Sequence, residues 1–251
     1  MTESVAALSV VGLRKAYGAL AVTQDVSFSV QEHRALGIIG PNGAGKTTLF
    51  NLIAGTQKAD AGRISVYGTD ITGLSAKERC HLGISRSFQI PQPFAGMTAY
   101  ENVLIAAAFG RRLPEYSARS YATDAIDHAG LGHLSDRLAG SLTLLDRKRL
   151  ELARALATGP RLLLLDEIAG GLTEAECVSL IDLIREIQAA GTTIVWVEHV
   201  LHALLAVVDE VLVLDFGKVI AHGPPDVIIK DPQVAAVYLG PDAQELENGH
   251  G

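Results

Sequence analysis

The chain has 251 residues, 48% hydrophobic and only 5% aromatic, enough to bury a sizeable core in one large domain or two small ones. Its formal net charge of −7 argues against a general nucleic-acid binder, which carries a basic face. Two distant cysteines, Cys80 and Cys177, and histidines without ligand spacing point to free thiols rather than a disulfide framework or a structural transition-metal site.

Met1 to Val5 has neither a basic region nor a long apolar stretch of the secretory kind. The longest apolar runs, such as Val103 to Gly110, fall well short of the ~20 residues of a membrane span. The expectation is a cytosolic or peripheral chain whose membrane role, if any, comes through a partner.

Residues 5–34 read as short strands joined by turns; Val26, Phe28 and Val30 alternate with Ser27 and Ser29 as in a half-buried antiparallel strand. Ala35-Leu36-Gly37-Ile38-Ile39 then reads as a buried strand, and Leu49 to Ala54 as a helix stopped by Gly55. Between them, Gly40-Pro41-Asn42-Gly43-Ala44-Gly45-Lys46-Thr47-Thr48 fits G-x-x-x-x-G-K-[ST]. In that strand–turn–helix setting the pattern is an anion cradle: backbone N–H groups converge on a phosphate and the helix N-terminus adds partial positive charge. Lys46 is expected to reach the β- and γ-phosphates, and the Thr47 hydroxyl to ligate Mg²⁺. Gly62 to Gly68 is a further alternating strand, so residues 5–34 and about 60–70 together suggest an antiparallel sheet laid against a nucleotide-binding core.

Ser75 to Leu82 reads as a short helix, and Ile84 to Gln89 alternates until Pro91 and Pro93 break the pattern. The region from about 90 to 158 looks like a helical insert, with helices expected near Thr98 to Phe109, Ser117 to Ala129 and Arg147 to Ala157. Leu162 to Asp166 is a buried strand running into the carboxylates Asp166 and Glu167. At the carboxyl end of a parallel strand, Asp166 is placed to hold Mg²⁺ opposite Thr47 and Glu167 to act as general base on water. Helix N-capping is the bland alternative for this pair. Thr173 to Glu176 opens a helix with a capping-box pattern, and Gly191 closes it. Thr192 to Val197 is another buried strand ending at Glu198-His199; Val211 to Leu214 is the next, followed by a turn at Phe216 to Lys218 and a helix from about Pro225. Strands alternating with helices imply a mostly parallel sheet with right-handed crossovers. Residues 241–251 read as a flexible tail.

Together these features resemble the ATP-binding subunit of an ABC transporter, over almost the whole chain (5–240) and most like the branched-chain amino-acid importer ATPases. The resemblance implies an α/β P-loop NTPase core of the RecA-like kind, with an antiparallel β subdomain and a helical subdomain insert. It makes Tyr17 the aromatic that stacks on adenine, Gln89 a contact of Mg²⁺ and the attacking water, and His199 a contact of the γ-phosphate. The cofactors it implies are ATP and Mg²⁺. Implied partners are integral membrane permeases, a second ATPase subunit (a heterodimer favoured, a homodimer possible) and, indirectly, a periplasmic or extracellular substrate-binding protein; nucleic acid is not among them. The implied location is peripheral, on the cytoplasmic face of the cell membrane. In such subunits the segment at Ile90 to Glu101 lines a groove for a permease helix, so Phe94 and Met97 are candidate contacts or else plain core.

Two stretches depart from the family form: Gly171-Leu172-Thr173, where Ala-Leu-Asp is common, and the signature motif. Leu142-Thr143-Leu144-Leu145-Asp146 stands where Leu-Ser-Gly-Gly-Gln is usual. Thr143 keeps a hydroxyl able to meet the γ-phosphate held by an opposing subunit. The two leucines restrict close backbone approach. Asp146 brings a negative charge that is unfavourable there unless it turns away to cap its own helix. Three other readings stay open: a translation or repair ATPase, a lipid or lipopolysaccharide exporter ATPase, and a regulatory ATP-binding module.

Overall fold

A computed structural model describes residues 5–239; the tail expected at 241–251 lies outside them. The chain opens with a hairpin, β1 (Leu8–Tyr17) and β2 (Leu20–Val30), then β3 (Ala35–Ile39) leads into α1 (Lys46–Ala54). β4 (Ala61–Val66) and the short β5 (Thr69–Asp70) follow, with α2 (Ala76–His81) and β6 (Ile84–Arg86) after them. Three helices come next: α3 (Ala99–Arg111), α4 (Glu115–His128) and α5 (Leu144–Ala157). The remainder alternates: β7 (Leu162–Asp166), α6 (Glu174–Ala189), β8 (Thr193–Val197), α7 (Leu201–Leu205), β9 (Glu210–Asp215), β10 (Lys218–Gly223), α8 (Pro225–Ile228) and α9 (Pro232–Leu239).

Two sheets result. One is antiparallel, in the order β2-β1-β4-β5; the other runs β10-β9-β3-β8-β7-β6, parallel except for the β9–β10 pair. The parallel strands are buried on both faces, which is why they read as unbroken apolar runs. Their alternation still sorts the side chains. Leu36, Ile38, Leu162, Leu164, Val195 and Val197 join α1 and the antiparallel sheet in one core. Ile39, Leu163, Leu165, Ile194 and Trp196 face the other way, into a core shared with α3, α4, α5 and α6. By the same parity Asp166 belongs to the face that carries α1 and the phosphate loop.

α1 is clamped between the two sheets, with Leu49, Phe50, Leu52 and Ile53 fully buried. Its C-terminal carbonyls, which have no partner inside the helix, are met by Arg79: the buried guanidinium donates to Leu52 O at 2.5 Å and Ile53 O at 2.8 Å. Gly55 closes the helix in the left-handed region at φ 78°.

Beyond α7, which the sequence did not announce, and the split of the helix expected from about Pro225 into α8 and α9, two elements differ from the sequence expectation. β10 stands where the sequence suggests only a turn and the approach to a helix. It is a half-exposed edge strand, so its residues show no clean alternation, and a two-residue turn with Phe216 and Gly217 both at positive φ folds it onto β9. α5 begins at Leu144 rather than Arg147, because Thr143 caps it: the Thr143 hydroxyl accepts from Asp146 N–H at 3.2 Å and donates to the Asp146 carboxylate at 2.7 Å. The cap is therefore Thr143, and Asp146 is held by it.

Candidate nucleotide site

The turn from β3 to α1 needs glycine at two points. A Cβ on Gly40 would lie 2.2 Å from the Leu214 carbonyl oxygen, and one on Gly45, at φ 101°, would lie 2.5 Å from the Val22 carbonyl oxygen. The loop is thus pressed against β9 and β2, with Ala44 buried and Asn42 and Gly43 exposed. Lys46 is 6% exposed and folds back over the turn, donating to Gly40 O at 2.6 Å and Pro41 O at 3.0 Å. Burial pushes its amine below the usual lysine range; the negative charges of Glu167 and then Asp166 oppose that shift. Thr47 is exposed and Thr48 half-buried on the first turn of α1.

Both carboxylates at the end of β7 have partners. Asp166 Oδ2 accepts from Arg86 Nη2 at 2.5 Å, a nearly buried pair, and Asp166 N–H donates to Ser87 Oγ at 3.3 Å. Arg86 also donates to Asn51 Oδ1 at 2.6 Å and lies between the rings of Phe50 and Phe88. Glu167 adopts φ 47°, a conformation that costs a non-glycine residue energy and persists where its surroundings enforce it. Here they do: Glu167 N–H donates to Val197 O at 2.8 Å, Gln89 Nε2 donates to Oε2, and His199 Nε2 meets Oε1 at 2.8 Å.

Lys46, Gln89, Asp166, Glu167 and His199 therefore converge, carried by α1, the segment after β6, the end of β7 and the end of β8. Arg86, Asn51 and Ser87 join them, though the sequence reading placed none of the three at the site. The signal for Arg86 was the strand period: it shares a face with Ile84 on β6 and pairs with Leu164, on the side of α1. Tyr17 ends β1, 46% exposed, with its hydroxyl on Gln57 and the Lys15 ammonium 5.5 Å from its ring centroid. Thr143 shares no hydrogen bond with the cluster; its hydroxyl is committed to Asp146. Among the described residues no group of three or more His, Cys, Asp or Glu side chains forms a metal site of its own.

A concavity of about 830 Å³ opens on the helical side and is lined by Met97, Leu104, Phe109 and Arg112 of the α3 region together with Lys77 and His81 of α2. Of the two apolar residues expected there, Met97 lines it. Phe94 packs instead over Arg154, 5.8 Å from its ring centroid, because Asn102 clasps the Phe94 backbone through both N–H and C=O.

Comparison with known proteins adds the deciding observation: the ABC transporter family model matches residues 23–170. The chain belongs to the ABC transporter ATPase family. It is an ATPase of that family, with its mixed parallel sheet and antiparallel β subdomain. A second model, for branched-chain amino-acid ATP-binding cassette transporters, matches residues 218–240 of this ABC ATPase. The chain is similar to the branched-chain amino-acid transport ATP-binding protein LivG of Salmonella typhimurium, 35% identical with 93% of this chain and 97% of LivG covered. It is also similar to the lipopolysaccharide export ATP-binding protein LptB of Haemophilus influenzae, 33% identical over the same shares. Among solved structures, the ADP conformation of MJ1267, an ATP-binding cassette of an ABC transporter, superposes with a TM-score of 0.86 at 33% identity, covering 94% of this chain and 99% of that one. Among the described residues of this ABC ATPase no helix is long and apolar enough to cross a membrane.

Proposed function

We propose that this chain powers an importer of branched-chain or related amino acids by hydrolysing Mg-ATP in the site built on the phosphate loop and the end of β7. The observation that carries the hydrolytic part is Glu167: a carboxylate held in a costly backbone conformation, gripped on one oxygen by Gln89 and on the other by His199. That geometry suits a base that orients water and takes its proton. Gln89 aims the carboxylate, and His199, in contact with the base, faces the γ-phosphate. Lys46, released from the Gly40 and Pro41 carbonyls, would swing to the β- and γ-phosphates, while the loop N–H groups from Gly40 to Thr48 cradle them. Tyr17 offers its exposed ring to adenine.

The donor set fits Mg²⁺. Asp166 retains one oxygen not held by Arg86, Thr47 offers a hydroxyl, and Mg²⁺ is usually bound by one or two protein oxygens plus phosphates and water. When bound, the ion would neutralise charge on the phosphates. Replacing Glu167 with Gln is the test: turnover should fall at least ~100-fold with ATP affinity retained. Wild-type turnover in that variant would remove the base from this reading.

The importer assignment is supported by the match at residues 218–240 to the branched-chain amino-acid cassette model. The 33% identity to LptB favours a second reading, a lipopolysaccharide-type exporter. Substrate-stimulated ATPase in the reconstituted complex separates the two. The groove beside α3 receives a cytoplasmic helix of a permease, which holds the chain peripherally on the cytoplasmic face of the membrane. An external binding protein delivers solute to that permease. A second, different ATPase subunit completes the motor. This last point rests on the Leu144-Leu145-Asp146 stretch, where side chains stand in place of the glycines that would let a facing triphosphate approach the backbone.

A further inference from the structure

Glu198 plays no part in the reading above, yet it is 3% exposed and both of its carboxylate oxygens are engaged. Oε1 accepts from the His199 N–H at 2.9 Å and from the Val200 N–H at 3.3 Å. Oε2 accepts from the Ala169 N–H at 2.9 Å. One buried carboxylate therefore joins two loops: the one that follows Glu167 and the one that presents His199. Neither loop has regular structure of its own to fix it. Strand parity explains the placement. Ile194 and Trp196 of β8 face the helical side, so Glu198, two residues beyond Trp196, continues on that face while His199 turns towards the end of β7.

A buried carboxylate with three charge-assisted hydrogen bonds is rigid, because breaking any of them leaves a desolvated group unpaired. We propose that Glu198 is a positioning residue for hydrolysis, locking the backbone of His199 to the loop after Glu167 so that the His199–Glu167 contact keeps its geometry. A separate observation extends the same unit. Lys148 of α5 is 4% exposed, and the negative charge of Glu198 offsets part of the cost of burying its amine. The helix capped by Thr143 thus leans electrostatically on the residue that sets both loops.

The inference rests on Glu167 and His199 acting in hydrolysis. Its test is steady-state ATPase of the assembled transporter carrying Glu198→Gln. The amide has one acceptor oxygen, so it must turn an NH₂ towards one of the two loops and break that link. The expected result is a loss of kcat on the order of tenfold, with KM for ATP within about twofold of wild type. Combined with His199→Ala, Glu198→Gln should add little further loss, since both act on one contact. Should the glutamine variant fail to fold, Glu198→Asp retains the negative charge beside Lys148 but is one methylene too short to bridge both loops; it should show the same loss confined to kcat. Wild-type kcat in folded variants, a parallel loss of ATP affinity, or full additivity with His199→Ala would overturn the inference. Activity surviving in Glu167→Gln would overturn the hydrolytic reading instead, and the two failures are distinguishable because the variants are assayed side by side.

Discussion

At the scale of single residues, the site is a set of charges paired with one another. Asp166 and Arg86 form the tightest of these pairs, both nearly buried, with Arg86 steadied by Asn51 and by two aromatic rings. Removing one member of such a pair leaves the other charge desolvated. Arg86→Met should therefore lower stability by about 3 kcal/mol, roughly 6–12 °C in Tm for a chain of this size. Because the same variant strips a competing cation from Asp166, added Mg²⁺ should raise its Tm more than it raises that of the wild type. A melting curve with and without the metal checks both; equal metal responses would show that Arg86 does not compete for the carboxylate. Lys46 adds a second case of groups holding each other in reserve. Its buried amine is satisfied by loop carbonyls and its charge is favoured by Glu167 and Asp166, so a phosphate must offer more than those partners do to draw it out.

Elements matter through the way they fix the irregular stretch between β6 and α3. That stretch carries Gln89 at one end and Met97 at the other, and it has no regular structure. Two devices hold it. Thr98 and Glu101 form a reciprocal cap at the start of α3, and Asn102, fully buried on the next turn, clasps Phe94 from both sides. Asn102→Ala would leave the partly buried Phe94 N–H without its partner, at a cost of about 1 kcal/mol. The expected result is a lower Tm together with faster protease cleavage between residues 90 and 97. An unchanged cleavage rate would mean that the prolines alone hold the segment. How much of this was legible beforehand depended on range. The capping box at Thr173 lies within four residues of sequence and its spacing announced it; those at Ser75 and Thr98 share that spacing and were seen only in the structure. The Asn102 clasp does not announce itself, since an asparagine inside a helix gives no sign of which carbonyl it will meet.

At the scale of the whole molecule, the two cores divide the labour. One surrounds α1 and sets the phosphate loop against the ends of β7 and β8; the other binds α3, α4 and α5 to the far face of the same strands. Phe109, 76% exposed beside the groove of α3, has no partner in either core. A large exposed aromatic at a concavity of this size fits a docking surface. Phe109→Asp should abolish co-purification with the permease while leaving ATP binding by the isolated chain unchanged. Retained co-purification would move the docking site elsewhere.

The sequence by itself determined the strand–loop–helix around Lys46 and the leucine strand ending in Asp166-Glu167, because a phosphate cradle and a doubly buried strand leave local patterns; Gln89 and His199 were expected there only through the resemblance to ABC transporter ATPases, since a lone glutamine or histidine after a strand carries no such pattern. It did not determine that Arg86 would share Asp166, that Glu198 would bridge two loops, or that Lys218 to Gly223 would add an edge strand. The first contact joins residues 80 positions apart, the second spans 29, and the third depends on a neighbouring strand's register, so only the packing of the two sheets around α1 decides which side chains then meet.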